Sequence, residues 1–169
     1  MHDDNTIGIG DLMATVTEIF GNAGLHPAQA QALGRVITAA ERDACKSHGI
    51  YRIAGCLRTI KAGKVAPKAE PVLHDDGTGI LRVDAGGGFS NAGFEMAAPH
   101  LAERAKKLGV AALVVNDCVH FAALWPEVEM LAGMGVAARG SATADSEAGA
   151  VVPACARYWR EPTLGRLPV

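Results

Sequence analysis

One stretch constrains the fold of this chain more than any other. Gly79-Ile80-Leu81-Arg82-Val83-Asp84 reads as a strand that runs into the glycine cluster Gly86-Gly87-Gly88. A helical pattern follows from about Ala92 to Leu108, and then a buried apolar run, Val110-Ala111-Ala112-Leu113-Val114-Val115. A strand–helix–strand unit of this kind favours a layered α/β arrangement. No internal repeat interrupts it.

Helices surround this unit. Asp11 is placed to cap a first helix to about Asn22, with Leu12, Val16, Ile19 and Phe20 as its apolar stripe. Pro27 opens a second helix through about Cys45, and Ile50, Ile53, Leu57 and Ile60 mark a third from Ile50 to Lys61, stopped by Gly63. Another helix is predicted from about Ala122 to Met134. Pro67 to Pro71 forms a connector, which divides the chain into an N-terminal helical, substrate-side segment (1–70) and a partial nucleotide-binding α/β segment (71–137). Residues 138–169 show no amphipathic helix and only Val151-Val152 as an apolar run, so this tail is expected to be irregular.

Charge and cysteine usage exclude several classes. A net charge of −2 gives no global reason to expect nucleic acid. No apolar run is long enough to span a bilayer, and the acidic start Met1-His2-Asp3-Asp4 lacks the basic region of a signal peptide. Cys45, Cys56, Cys118 and Cys155 form no CxxC pair and suit reduced thiols in the cytoplasm. Locally, Lys46, Arg52, Arg58, Lys61, Lys64 and Lys68 occur with no acidic residue among them, which is either a solvated face or a positive field for an anionic ligand.

Two histidine motifs carry the chemistry. In Ser47-His48-Gly49 with Arg52, a third helix starting at the motif would put His48 and Arg52 one turn apart on one face. A guanidinium can hold a carboxylate in a fixed plane while a neighbouring imidazole moves a proton. The alternative is that Ser47 is an N-cap and the other two are surface residues. In His120-Phe121-Ala122-Ala123-Leu124, the histidine follows a buried strand, where open α/β sheets place ligands, and small residues would open a helix start to phosphate. The same residues also suit ordinary strand-to-helix packing. The glycine cluster lacks the third glycine of a dinucleotide loop and is expected to be a tight turn needing positive φ. Cys45, His48, Cys56, Cys118 and His120 lack zinc-finger spacing, so no metal site is assigned.

Taken in order, these features resemble the type 2 malate/L-lactate dehydrogenase family of NAD(P)-dependent oxidoreductases. The carriers are Asp43, Ser47-His48-Gly49, Arg52, Gly63-Lys64-Val65-Ala66-Pro67, Val83-Asp84 and the run from Asn116 to Glu127. The resemblance covers about Gly10 to Gly135. The HFAAL core is most similar to the branch that reduces Δ1-piperideine-2-carboxylate and Δ1-pyrroline-2-carboxylate, where other branches more often carry HFG. It implies a non-Rossmann NAD(P)-binding α/β fold. Ser47 and His48 would belong to a charge relay, Arg52 would bind the substrate carboxylate, and His120, Phe121, Ala122, Ala123 and Leu124 would contact NADPH, with NADH the less favoured cofactor. The implied reaction is reduction of a cyclic 2-imino acid to L-pipecolate or L-proline, in a homodimer if full length.

The chain departs from the family pattern late. After Val151-Val152-Pro153 the family shows a GTNP-type signature, where this chain has Gly165-Arg166-Leu167-Pro168. The relay aspartate and the remaining cofactor contacts lie further on in the family. The expectation is therefore an N-terminal half with little or no turnover by itself, because a Ser–His pair without its orienting acid loses its fixed tautomer. Two alternatives stand beside it: a 2-hydroxy acid dehydrogenase of the malate/L-lactate type, and a non-catalytic nucleotide-binding or subunit-interaction remnant.

Overall fold

The computed structural model describes residues 6–120, 123–141 and, as backbone, 150–155. Helices α1 (Ile9–Asn22) and α2 (Pro27–Arg42) pack as a hairpin, followed by a 3-10 turn (Ile50–Arg52) and α3 (Ile53–Lys61). Strands β1 (Val72–His74) and β2 (Ile80–Phe89), helix α4 (Ser90–Leu108), β3 (Val110–Val119), α5 (Trp125–Gly133), β4 (Ala137–Ala138) and β5 (Ala150–Cys155) complete the described chain. The sheet order is β1-β2-β3-β5-β4; β2 and β3 are parallel and every other pairing is antiparallel. This mixed α/β sheet differs from the parallel sheet of a Rossmann domain.

Two apolar cores share the strands. In the first, Leu81, Val83 and Ala85 of β2 and Ala111, Leu113 and Val115 of β3 face Phe94, Ala97, Ala98 and Leu101 of α4. Gly93 makes this approach possible, because a Cβ there would sit 2.8 Å from the Val83 Cγ1 atom. In the second, Leu12, Val16 and Phe20 of α1 meet Leu33 and Ile37 of α2, Cys56 of α3, and Phe89 from the end of β2. The strands thus run out of one core and into the other.

The glycine cluster makes that crossing. It is no tight turn: it lies inside β2, where the register with β3 slips between Asp84 and Gly88. Gly86 and Gly87 have φ of +58° and +78°, and Asp117 on the facing strand has φ of +44°. Positive φ at two successive positions is what only glycine adopts cheaply. The result is an enlarged bulge, which bends the strand and re-aims the residues after it.

Several boundaries differ from the sequence expectation for local reasons. Helix α1 starts at Ile9 with Gly8 as its N-cap, so Asp11 lies in the first turn and does not cap it. Helix α2 stops at Arg42, and Ala44 follows with φ of +56°. Ile50 of the expected third-helix stripe is 45% exposed, and the residue that α3 buries is Cys56. Helix α5 begins at Trp125, with Pro126 in its first turn, rather than at Ala122. β1 was not anticipated. Nor was β5, a strand within the tail read as irregular.

A buried amide joins the parts. Gln29, 1% exposed on α2, donates from Nε2 to the carbonyls of Ala66, Pro67 and Ala69 at 3.2, 3.2 and 3.0 Å. Its Oε1 accepts the Phe89 N–H at 2.9 Å. Replacement by alanine would leave that amide buried without an acceptor, a cost of about 1–3 kcal/mol before the lost packing is counted. Gln29→Ala is therefore expected to lower stability by about 2–4 kcal/mol in urea unfolding. A loss under about 0.5 kcal/mol would contradict this role.

Candidate active site

The first motif folds as a turn, not as the start of a helix. His48 N–H and Gly49 N–H both donate to the Cys45 carbonyl, at 2.9 and 3.1 Å. The one-turn helical spacing of His48 and Arg52 therefore does not apply. They are brought together through Ser47: its Oγ lies 2.9 Å from His48 Nδ1, and its carbonyl accepts from Arg52 Nε at 2.8 Å. Cys45 Sγ sits 3.6 Å from that hydroxyl and 3.7 Å from that nitrogen. Ser47 is not the N-cap either. Gly49 is, and the Ile50 N–H is met by Glu41 Oε2 of α2 at 3.0 Å. Hydrogen bonds from Lys46 and from the Ile50 backbone hold the Glu41 carboxyl below its ordinary range.

The second motif begins at the end of β3. His120 Nδ1 lies 2.8 Å from Ser90 Oγ, at the first residue of α4. His120 Nε2 is buried and has no hydrogen-bond partner among the described residues. Burial pushes the imidazole below its usual range, which keeps it neutral at pH 7. Ala123 is buried and Leu124 is the N-cap residue of α5, while Phe121 and Ala122 lie outside the described residues.

Arg52 and His120 meet at one cavity of about 490 Å³, between α3 and the ends of β2 and β3. Arg58 and Lys64 line it as well, together with Cys56, Phe89 and Val119, and among the described residues no carboxylate does. Burial raises the Cys56 thiol to about 11, so it is a neutral wall. The two motifs are also tied outside the cavity, where Trp125 Nε1 donates to Asp43 Oδ2 at 3.0 Å. Among the described residues, no three His, Cys, Asp or Glu side chains converge as a metal site, and no helix is long and apolar enough to cross a membrane.

Three participants were missed from sequence. Glu41 acts from nine residues before the backbone it caps. Ser90 had a signal, since it closes the strand–glycine segment that aims at the second motif. Glu127 is the third: it is 3% exposed and lines a separate cavity of about 300 Å³ with Arg35, Asn91, Glu95 and Met130. Arg35 there is engaged by Glu95.

With the geometry in place, comparison with known proteins decides the family. The family model described as malate/L-lactate dehydrogenase matches residues 7–169. The chain belongs to that family. It is 62% identical over 138 residues to a Δ1-pyrroline-2-carboxylate reductase of Agrobacterium fabrum, covering 81% of this chain and 40% of that protein. A Δ1-pyrroline-2-carboxylate/Δ1-piperideine-2-carboxylate reductase of Pseudomonas aeruginosa is 49% identical, over 84% of this chain and 39% of its own length. Among solved structures, a Δ1-piperideine-2-carboxylate reductase from Pseudomonas syringae superposes with a TM-score of 0.77 at 39% identity, over 79% of this chain and 40% of that one. The chain thus spans about 40% of the length of these relatives.

Burial first, and then the Glu95 charge, raise the Glu127 carboxyl from 4.5 to about 7. Between these values the folded state holds a proton that the unfolded state has lost. The stability that the raised value confers is complete below about pH 4.5 and declines as pH rises through about 7. The full decline is up to about 3 kcal/mol. Denaturant midpoints measured from pH 5 to 8 should fall in the wild type, and Glu127→Gln should remove most of that fall. Parallel curves for the two proteins would contradict it.

Proposed function

We propose that this chain carries the substrate-anchoring and part of the nucleotide-holding machinery of a reductase that converts a cyclic 2-imino acid to the corresponding cyclic amino acid. The observation that carries the reading is the convergence of Arg52 and His120, one from each motif, on a single cavity with two further cations and, among the described residues, no acid. The imino-acid branch is preferred to a 2-hydroxy acid dehydrogenase because relatives at 62% and 49% identity bear the reductase name. The malate dehydrogenase structure from Entamoeba histolytica, at 22% identity, speaks to the fold alone.

In this reading Arg52 binds the substrate carboxylate. Its Nε is committed to the Ser47 carbonyl, which fixes the guanidinium plane. Ser47 thereby orients two groups, since its hydroxyl holds the His48 ring. His48 supplies the proton that the imine nitrogen takes up as the ring carbon beside it is reduced. His120, with Ala123 and Leu124 after it and with Phe121 and Ala122 between, would hold the nicotinamide nucleotide. The partnerless buried Nε2 and the cationic wall fit such an anionic, hydrogen-bonding group. NADPH, favoured over NADH, would supply the hydride when bound. The chain's contribution is placement and charge. The free thiols of Cys45, Cys56 and Cys118 support a cytoplasmic location in this reading, and a homodimer is the assembly it implies.

Because the chain spans about 40% of its relatives' length, binding is the first test. Calorimetry should show saturable NADPH binding, and L-proline or Δ1-pyrroline-2-carboxylate binding in its presence. Arg52→Lys loses the bidentate fork and should weaken the carboxylate ligand by about 10–100-fold while changing NADPH affinity far less. Absence of NADPH binding, or equal loss of both ligands, would sink the assignment of roles.

A further inference from the structure

We propose that Ser90 is a positioning residue: its hydroxyl donates to His120 Nδ1, so that the neutral ring carries its proton on Nε2 and offers that N–H to an oxygen of the bound nucleotide. The ligand half of this rests on the reading of His120 as a nucleotide contact; the hydrogen bond does not.

The direction of the bond follows from where Ser90 sits. It is the first residue of α4 and 1% exposed, in contact with His120 Nδ1 at 2.8 Å. A helix N-terminus presents unpaired N–H donors and no spare carbonyl acceptors. Among the described residues the hydroxyl has no acceptor besides that nitrogen. Were the ring proton on Nδ1, it would point at Ser90 Oγ and leave the hydroxyl hydrogen buried with nothing to receive it. The other arrangement satisfies both groups. It leaves Nε2, buried and partnerless, as the one unused polar atom of a ring that lines the cavity with Arg52. Burial keeps the ring neutral, so the tautomer decides whether that atom donates or accepts.

The backbone explains how two residues thirty positions apart meet so closely. Both follow the bulge directly, Ser90 after β2 and His120 after β3, and the pairing Phe89↔Val119 sets them side by side. The glycine cluster therefore acts on the site through geometry, not as a phosphate loop.

The test uses the 169-residue chain labelled with ¹⁵N-histidine. Long-range proton–nitrogen spectra at neutral pH distinguish the two tautomers, and His120→Gln identifies the signal among the six histidines. The wild type is expected to show the Nε2–H form at His120. Ser90→Ala should shift the ring toward the Nδ1–H form and weaken NADPH by about tenfold, and Ser90→Thr, which keeps the hydroxyl, should restore both. A purely structural role at position 90 would leave the tautomer unmoved. An Nδ1–H ring in the wild type, or an unchanged tautomer in Ser90→Ala, would overturn the proposal. If the tautomer behaves as expected while NADPH fails to bind the wild type, the nucleotide reading falls and the positioning role stands.

Discussion

The structure depends on how one buried amide is satisfied. Gln29 uses both ends of its side chain, the NH₂ on three carbonyls of the connector and the oxygen on the Phe89 amide. None of these partners belongs to its own helix. Four backbone groups are thereby met, one of them the Pro67 carbonyl that also accepts the His26 N–H at 2.7 Å, and α2, the Ala66–Ala69 connector and the end of β2 become one body. The Ala66 N–H adds a bond to the Gly87 carbonyl at 2.8 Å. Without this clamp the positive-φ glycines of the bulge would keep the local bond from the Gly86 N–H to Asp84 Oδ1 at 2.8 Å and lose their tie to α2 and the connector.

Much of the secondary structure was legible because its signals are local. The stripe Leu12, Val16, Phe20 and the alternation Leu81, Val83, Ala85 each report a face directed at a core. What could not be read was set by partners far along the chain. β1 has three residues and exists by pairing with β2. β5 occupies the place between β3 and β4 although its own composition gives a weak strand signal. The glycine cluster suggests a turn from sequence because positive φ is a property of residues, whereas a bulge is a property of two strands together.

The site divides in the same way. Spacing alone left Arg52 and His120 open between surface or packing residues and site residues; the family resemblance of their motifs singles them out, and both line one cavity. A shared helix face does not pair His48 with Arg52, because the chain between them is a turn and a 3-10 segment. Ser47 makes the connection through its backbone oxygen, an atom that every residue carries and that no sequence pattern marks. Glu41 and Gln29 carry no such mark for a related reason: each is an ordinary polar residue whose importance lies in a distant partner.

The wall of the cavity has a kinetic consequence. Arg52, Arg58 and Lys64 face a common space within a protein whose net charge is −2, so their field is local and reaches about one Debye length, roughly 8 Å at physiological salt. An anion drifting over most of the surface meets mild repulsion, and attraction begins at the mouth of the cavity. Raising ionic strength would then slow capture, while the rate of departure, set by bonds already made inside, would change less. Arg52, Arg58 and Lys64 would in this way govern how quickly an anionic ligand arrives, a separate matter from how firmly it is held.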